Sequence, residues 1–223
     1  MNIIDYADRE MLAMHVADLL AGELQSCLLT HETASFAVPG GSSPGPIFDI
    51  LSGIHFEWDR VHVMLTDERW VPQDDPRSNT ALVRQRLLTG RAAQARFVPY
   101  YVDGVTAAQG AEMSAPAVAP ELPLSLVLLG MGEDMHTASL FPGARGLQRA
   151  MAHDAPLLCP ISAEGQDIDR VTLPAHVLNG AMSRHLVIFG EAKREALARA
   201  VSLDAEDAPI VRVLGGGTVH WAA

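Results

Sequence analysis

Four consecutive apolar residues, Leu126-Val127-Leu128-Leu129, constrain this chain more than any other stretch. Pro123 precedes them and Gly130 follows. A run this short, apolar at every position and framed by turn residues, reads as a strand buried on both faces, as parallel sheets require. Ala34 to Val38 and Leu186 to Phe189 repeat the pattern, and Val61 to Thr66 is a close variant. With helical segments between them, the chain reads as α/β: a mostly parallel sheet flanked by helices. Beyond Gly130 the chain turns and presents Glu133, Asp134 and His136 together. Ligands of open α/β sheets bind just past the carboxyl ends of the strands. An acid and an imidazole therefore stand where chemistry is expected. The alternative is a helix N-terminus capped by Asp134, with His136 on the surface.

Two further strand ends bear on that choice. After Val38 comes Pro39-Gly40-Gly41-Ser42-Ser43-Pro44-Gly45. The glycines let backbone N–H groups turn toward a ligand, and the serines add hydroxyl donors. Pro44 suits the first position of a helix running through Leu51, so this strand, loop and helix make a phosphate site. The segment lacks the Gly-Lys-Ser/Thr of a P-loop and the spacing of a dinucleotide fingerprint. It does satisfy G-x-S-x-G around Ser43, but a serine-hydrolase elbow uses the N–H of the residue after the nucleophile, and Pro44 has none. After Thr66 comes Asp67-Glu68-Arg69-Trp70-Val71-Pro72. Arg69 offers a rigid fork of donors suited to phosphate or carboxylate.

The remaining elements follow from periodicity. Asp5 is expected to cap a helix reaching Leu29, with Met11, His15, Leu19 and Leu20 on its packed face. Ser78 or Asn79 should cap a helix to Leu88. Phe97 to Val102 reads as a strand, Thr106 to Met113 as a helix, and Ala115 to Pro123 as a connector. Leu157 to Ile161 and Arg170 to Leu173 read as strands. A helix from Ala192 to Ala200 carries Lys193 in its first turn, where a cation opposes the helix dipole and gains from meeting an anion. Pro209 to Trp221 reads as two strand-like pieces around Gly215-Gly216-Gly217.

Charge narrows the function. The net charge of -11 argues against nucleic acid and anionic membranes, which are bound through basic patches. An anionic small molecule fits if a few cations converge in one cleft. Cys27 and Cys159 stand far apart without metal-type spacing and read as reduced residues of a cytoplasmic protein. Asp5, Asp8 and Glu10 leave no signal peptide in the N-terminal stretch. No apolar run reaches membrane-spanning length. The 223 residues suit one domain over positions 1–223.

The blocks PGGSSPG, LTDERWVPQDDPRSN, LLGMGEDMHTASLFPG, RVTLPAHVLN and GEAK, in this order, resemble the 6-phosphogluconolactonases along nearly the whole chain. The resemblance implies a Rossmann-like α/β fold of the glucosamine-phosphate deaminase type. It implies hydrolysis of 6-phospho-D-glucono-1,5-lactone to 6-phospho-D-gluconate in the oxidative pentose phosphate pathway, with no metal and no cofactor. It assigns the phosphate loop to Gly40, Gly41, Ser42 and Ser43, the Asp-Glu-Arg block to Asp67, Glu68 and Arg69 with the aspartate and arginine lining the site, the active-site histidine to His136 and a late lysine to Lys193. His136 is then the general base, since a neutral imidazole with an ordinary pKa of about 6.5 can take a proton from water near neutrality. Asp67 or Asp134 orients it, and N–H groups of a glycine loop serve the oxyanion. A sugar-phosphate deaminase on the same fold would carry a glutamate shortly after the histidine, where this chain reads His136-Thr137-Ala138-Ser139-Leu140-Phe141. A sugar-phosphate sensor would need a separate DNA-binding segment.

The chain departs from the family pattern at three places. Ser43 replaces a threonine. The ending Trp221-Ala222-Ala223 is curtailed and receives no role. Met135 replaces a glycine between the aspartate and the histidine. Because the surrounding block is otherwise intact, Met135 is expected to have φ below zero and to pack beside the cleft without filling it.

Overall fold

A computed structural model describes residues 2–223. The chain opens with β1 (Asn2–Asp5), so Asp5 lies in a strand and does not cap a helix. The cap is Asp8, whose carboxylate accepts from Met11 N at 2.8 Å and starts α1 (Arg9–Leu28). Leu12, Val16, Leu20 and Leu24 form the buried face of α1, while Met11 and His15 face outward. The expected face was thus rotated by one residue, because the sheet covers the Leu12 stripe. Nothing local marks β1 as a strand; it exists because Asn2–Asp5 pairs in parallel with Thr218–Trp221.

Next come β2 (Ala34–Val38), buried at every position, and α2 (Gly45–Leu51), for which Pro44 is the N-cap residue rather than the first helical one. β3 (Val61–Leu65) is followed by β4 (Asp67–Arg69), read from sequence as a loop. α3 (Asn79–Arg86) is capped by the Ser78 hydroxyl. β5 (Arg96–Val98) is shorter than expected and pairs only with β3 at the sheet edge. α4 (Ala107–Val118) starts in a Thr106/Gln109 capping box and runs past Met113 into the expected connector. Pro116 falls in its last turn, where its missing N–H costs one hydrogen bond and the helix still runs on to Val118.

β6 (Leu126–Leu129) is followed by α5 (Leu147–Met151), β7 (Cys159–Ile161), β8 (Arg170–Thr172) and α6 (Ala175–Asn179). The chain then forms β9 (Ser183–Phe189), α7 (Glu191–Ala200), α8 (Ile210–Val213) and β10 (Thr218–Ala222). Ile210–Val213 was expected to be strand-like and is a helical turn. Four residues, three of them apolar, carry too little periodicity to separate the two. Both cysteines are unpaired. No described helix is long and apolar enough to cross a membrane.

The main sheet has seven strands in the order β1-β10-β9-β6-β2-β3-β5, and every pairing is parallel. From β2 the chain moves outward through β3 to β5, then returns to place β6 on the other side of β2. The strand order therefore reverses between β2 and β6. Loops leaving adjacent strands in opposite directions open a crevice at such a point. A smaller antiparallel sheet, β4-β8-β7, lies beyond the end of β3. Thr66 joins the two sheets: its N–H donates to Val38 O, and its carbonyl accepts from Leu173 N.

Candidate active site

The crevice holds a cavity of about 260 Å³. Its walls include Gly40, Gly41, Ser42 and Ser43 from the loop after β2, and Gly130, Met131, Gly132, His136 and Ala138 from the loop after β6. Asp67 and Arg69 of β4, Asn79 of α3, Arg170 of β8 and Lys193 of α7 complete the lining. Eight of the nine residues singled out from sequence line this one space; Asp134, the ninth, stands behind His136.

The imidazole is held by a tight turn. Gly132 N donates to His136 O at 3.0 Å, and Met135 N donates to Gly132 O at 3.0 Å. The turn folds Asp134 back so that its Oδ1 lies 2.5 Å from His136 Nδ1, and the backbone N–H of His136 reaches the same oxygen at 3.3 Å. Glycine is required at position 132, since a Cβ there would lie 2.3 Å from both Asp134 Oδ1 and His136 Nδ1. With Nδ1 donating to the carboxylate, Nε2 carries the lone pair. The ring packs 4.4 Å from Phe141, centroid to centroid, and its side chain stays 30% exposed.

Met135 has φ of 65°, which corrects the expectation of a negative value. The turn's two hydrogen bonds, with a third from Ile210 N to Met135 O, hold the residue in the left-handed region at a cost of roughly 1–2 kcal/mol. An intact neighbouring block did not reveal this, because the demand comes from backbone closure and not from any side chain. Met135 packs against the core and is not part of the cavity wall. Ala138, two residues past His136, is also left-handed at φ 50°.

Of the two candidate aspartates, only Asp134 touches the ring. Asp67 is buried, accepts from Ser139 Oγ at 2.6 Å and Thr66 Oγ1 at 3.2 Å, and lies 3.9 Å from Arg170 Nη1. Two residues on in β4, Arg69 Nη1 donates to Asn79 Oδ1 and to Arg77 O, each at 2.8 Å. The Asn79 carboxamide abuts Gly40 so closely that a Cβ on that glycine would fall 2.0 Å from Asn79 Oδ1.

Arg170 and Asn79 were not identified from sequence. Arg170 opens the block RVTLPAHVLN as a charge ahead of an apolar run, and that was the available signal. Its guanidinium stacks 5.1 Å from the centre of Phe141, and its Nε is buried without a partner among the described residues. Burial lowers its pKa, Asp67 raises it, and the nearby Arg69 lowers it again. Two guanidiniums facing one space repel each other until an anion lies between them. The chain as a whole is strongly acidic, so this gathering of Arg69, Arg170 and Lys193 focuses positive potential on the crevice. The arrangement can hold an anionic group against the β2 loop and present an imidazole base to a reacting centre nearby. No described group of histidine, cysteine and carboxylate side chains has the geometry of a metal site.

Similarity to known proteins agrees with this geometry. A family model described as glucosamine-6-phosphate isomerases/6-phosphogluconolactonase matches residues 7–221. A 6-phosphogluconolactonase of Rhizobium meliloti is 38% identical over 228 residues, covering 99% of this chain and 98% of that one. One from Pseudomonas aeruginosa is 38% identical over 213 residues, covering 94% and 90%. The crystal structure of a 6-phosphogluconolactonase from Shewanella baltica superposes with a TM-score of 0.95 at 31% identity, covering 100% of this chain and 98% of that one.

Proposed function

The chain belongs to the glucosamine-6-phosphate isomerase/6-phosphogluconolactonase family, and from that premise we propose that it hydrolyses 6-phospho-D-glucono-1,5-lactone to 6-phospho-D-gluconate. The observation that carries the reading is the single cavity where a carboxylate-bonded imidazole stands with three cationic side chains and a Gly/Ser loop. The phosphate sits against Gly40 to Ser43 and is held by Arg69, Arg170 and Lys193. The loop offers N–H and hydroxyl donors, and the cations supply charge-assisted hydrogen bonds. The lactone carbonyl then lies toward His136. Nε2 takes a proton from water as the water oxygen attacks C1. Asp134 fixes the tautomer and stabilises the imidazolium that forms. The tetrahedral intermediate collapses by breaking the bond from C1 to the ring oxygen, and the imidazolium returns its proton to that oxygen. The net change is lactone plus water giving the open-chain acid. Asp67 shapes the wall through Ser139 and Arg170 and does not act on the imidazole. The same reading takes residues 1–223 as one catalytic domain working in the cytoplasm on a small-molecule substrate.

The direct test adds the protein to freshly generated phosphorylated lactone and follows acid release at constant pH. Acceleration well above spontaneous opening is expected. A rate equal to the spontaneous one would remove the proposal.

A further inference from the structure

Glu68 lies between two residues of the cavity wall, and its own side chain is fully buried away from the cavity. Its carboxylate is met by N–H and O–H donors. Oε1 accepts from Arg69 N at 2.8 Å and Asn79 N at 2.7 Å. Oε2 accepts from Thr80 N at 2.8 Å and Ser78 Oγ at 3.0 Å. Three of these donors belong to the start of α3, where unpaired N–H groups and the helix dipole favour an anion. A fully buried carboxylate is costly unless such donors compensate it. Burial raises the Glu68 pKa, and the hydrogen bonds from Thr80, Asn79 and Ser78 oppose that rise.

One oxygen of Glu68 therefore pins both the end of β4 and the first residue of α3. Asn79 closes the ring. Its N–H is on Glu68, its Oδ1 accepts from Arg69 Nη1, and its Nδ2 donates to Asp67 O at 2.8 Å. The second acceptor for Arg69 Nη1, the carbonyl of Arg77, belongs to the segment that Ser78 leads into α3. An arginine side chain has many rotamers, and freezing one in advance removes an entropic cost from binding.

We propose that Glu68 is a positioning residue for the phosphate clamp: it fixes the start of α3 and, through Asn79, holds the Arg69 guanidinium in the cleft. The inference rests on the phosphorylated-lactone reading of the cavity. Glu68→Gln is the informative change. An amide oxygen can serve one pair of donors, and its NH2 then faces the other pair, so the latch loosens while shape is kept.

The experiment measures kcat and KM on phosphorylated and unphosphorylated gluconolactone for the wild type, E68Q, R69A and E68Q/R69A. Wild type should strongly prefer the phosphorylated lactone; equal efficiency would overturn the reading of the cavity, and this inference with it. Given that preference, E68Q should raise KM for the phosphorylated lactone about tenfold or more, with kcat changed far less and the unphosphorylated lactone unaffected. In the R69A background E68Q should add little, since it acts through the residue already removed. Equal losses on both lactones, an unchanged KM, or full additivity with R69A would each overturn the inference while leaving the cavity assignment standing. Should E68Q fail to fold, E68D keeps the charge and shortens the reach by one methylene; a folded E68D with wild-type KM would overturn it equally.

Discussion

Two histidine settings in this molecule use the same side chain for opposite purposes. His136, in the loop after β6, has one ring nitrogen on a carboxylate and no hydrogen-bond partner for the other among the described residues. His220, in the middle of β10, is wholly buried with both nitrogens committed. Its Nδ1 meets the Tyr6 hydroxyl at 2.8 Å, and its Nε2 meets His185 Nδ1 at 3.0 Å. The chain continues from His185 Nε2 to Glu23 at 3.0 Å and Ser183 at 3.1 Å. A base must have a free lone pair, water access and a partner that stabilises its charged form. His136 has all three. His220 has a closed hydrogen-bond chain, and burial, with His185 and His15 nearby, pushes its pKa down to about 4. Position in the sheet explains the contrast: His136 lies past a strand's carboxyl end, and His220 lies within a strand flanked by β1 and β9.

Removing the cleft histidine should have the largest effect. His136→Ala should fold with a near-normal melting temperature and lower kcat by about 10²–10⁴-fold, the usual contribution of a general base. A folded variant with near-normal kcat would erase the distinction.

A second change acts on the buried pair. The folded-state pKa of His220 lies below its ordinary value of 6.5, so the unfolded chain takes up the proton first as pH falls. Neutral His220 therefore contributes stability above about pH 6.5, and that contribution is lost as pH falls toward 4, amounting to roughly 3 kcal/mol at the acid end. Urea unfolding at several pH values should show stability falling through this window, and His220→Asn should flatten the slope. A slope unchanged in that variant would mean His220 is not the buried group responsible.

A smaller effect sharpens the picture of the cleft. Met135→Gly should raise unfolding stability by up to about 1 kcal/mol, since glycine adopts positive φ freely, and should keep most activity because Met135 is not on the cavity wall. A large loss of kcat without loss of stability would show that the methionine side chain supports the turn beneath His136.

How legible all this was in the sequence follows from what fixes each part. β2 and β6 matched their apolar runs because burial on both faces leaves nearly every position apolar, Ser35 being the exception. The loops after them carried Gly40 to Ser43, Asp134 and His136 in contiguous blocks, so this part of the cleft could be read locally. The fold class expected from resemblance, an α/β parallel sheet of the deaminase type, is the one observed. What stayed hidden depends on distant partners. β1 exists through pairing with β10, and β4 through pairing with β8, which in turn delivers Arg170 to the cleft. Asn79 read as a helix cap because its contact with Arg69 and Gly40 spans loops from separate elements. The left-handed turn at Met135 did leave one mark, the family's glycine at that position, but the intact residues around it pointed the other way.

In the proposed reaction the cations and the β2 loop hold a phosphate so that His136 can act on a lactone. Comparing kcat/KM for phosphorylated and unphosphorylated gluconolactone, in wild type and in Arg69→Ala, tests it most directly. Binding energy from a remote phosphate can be used at the reacting centre, so the wild type should favour the phosphorylated lactone by about 10² or more. Arg69→Ala should lose most of its efficiency on that substrate and little on the other. Equal efficiency on both lactones in the wild type would mean that the cleft does not hold the phosphate.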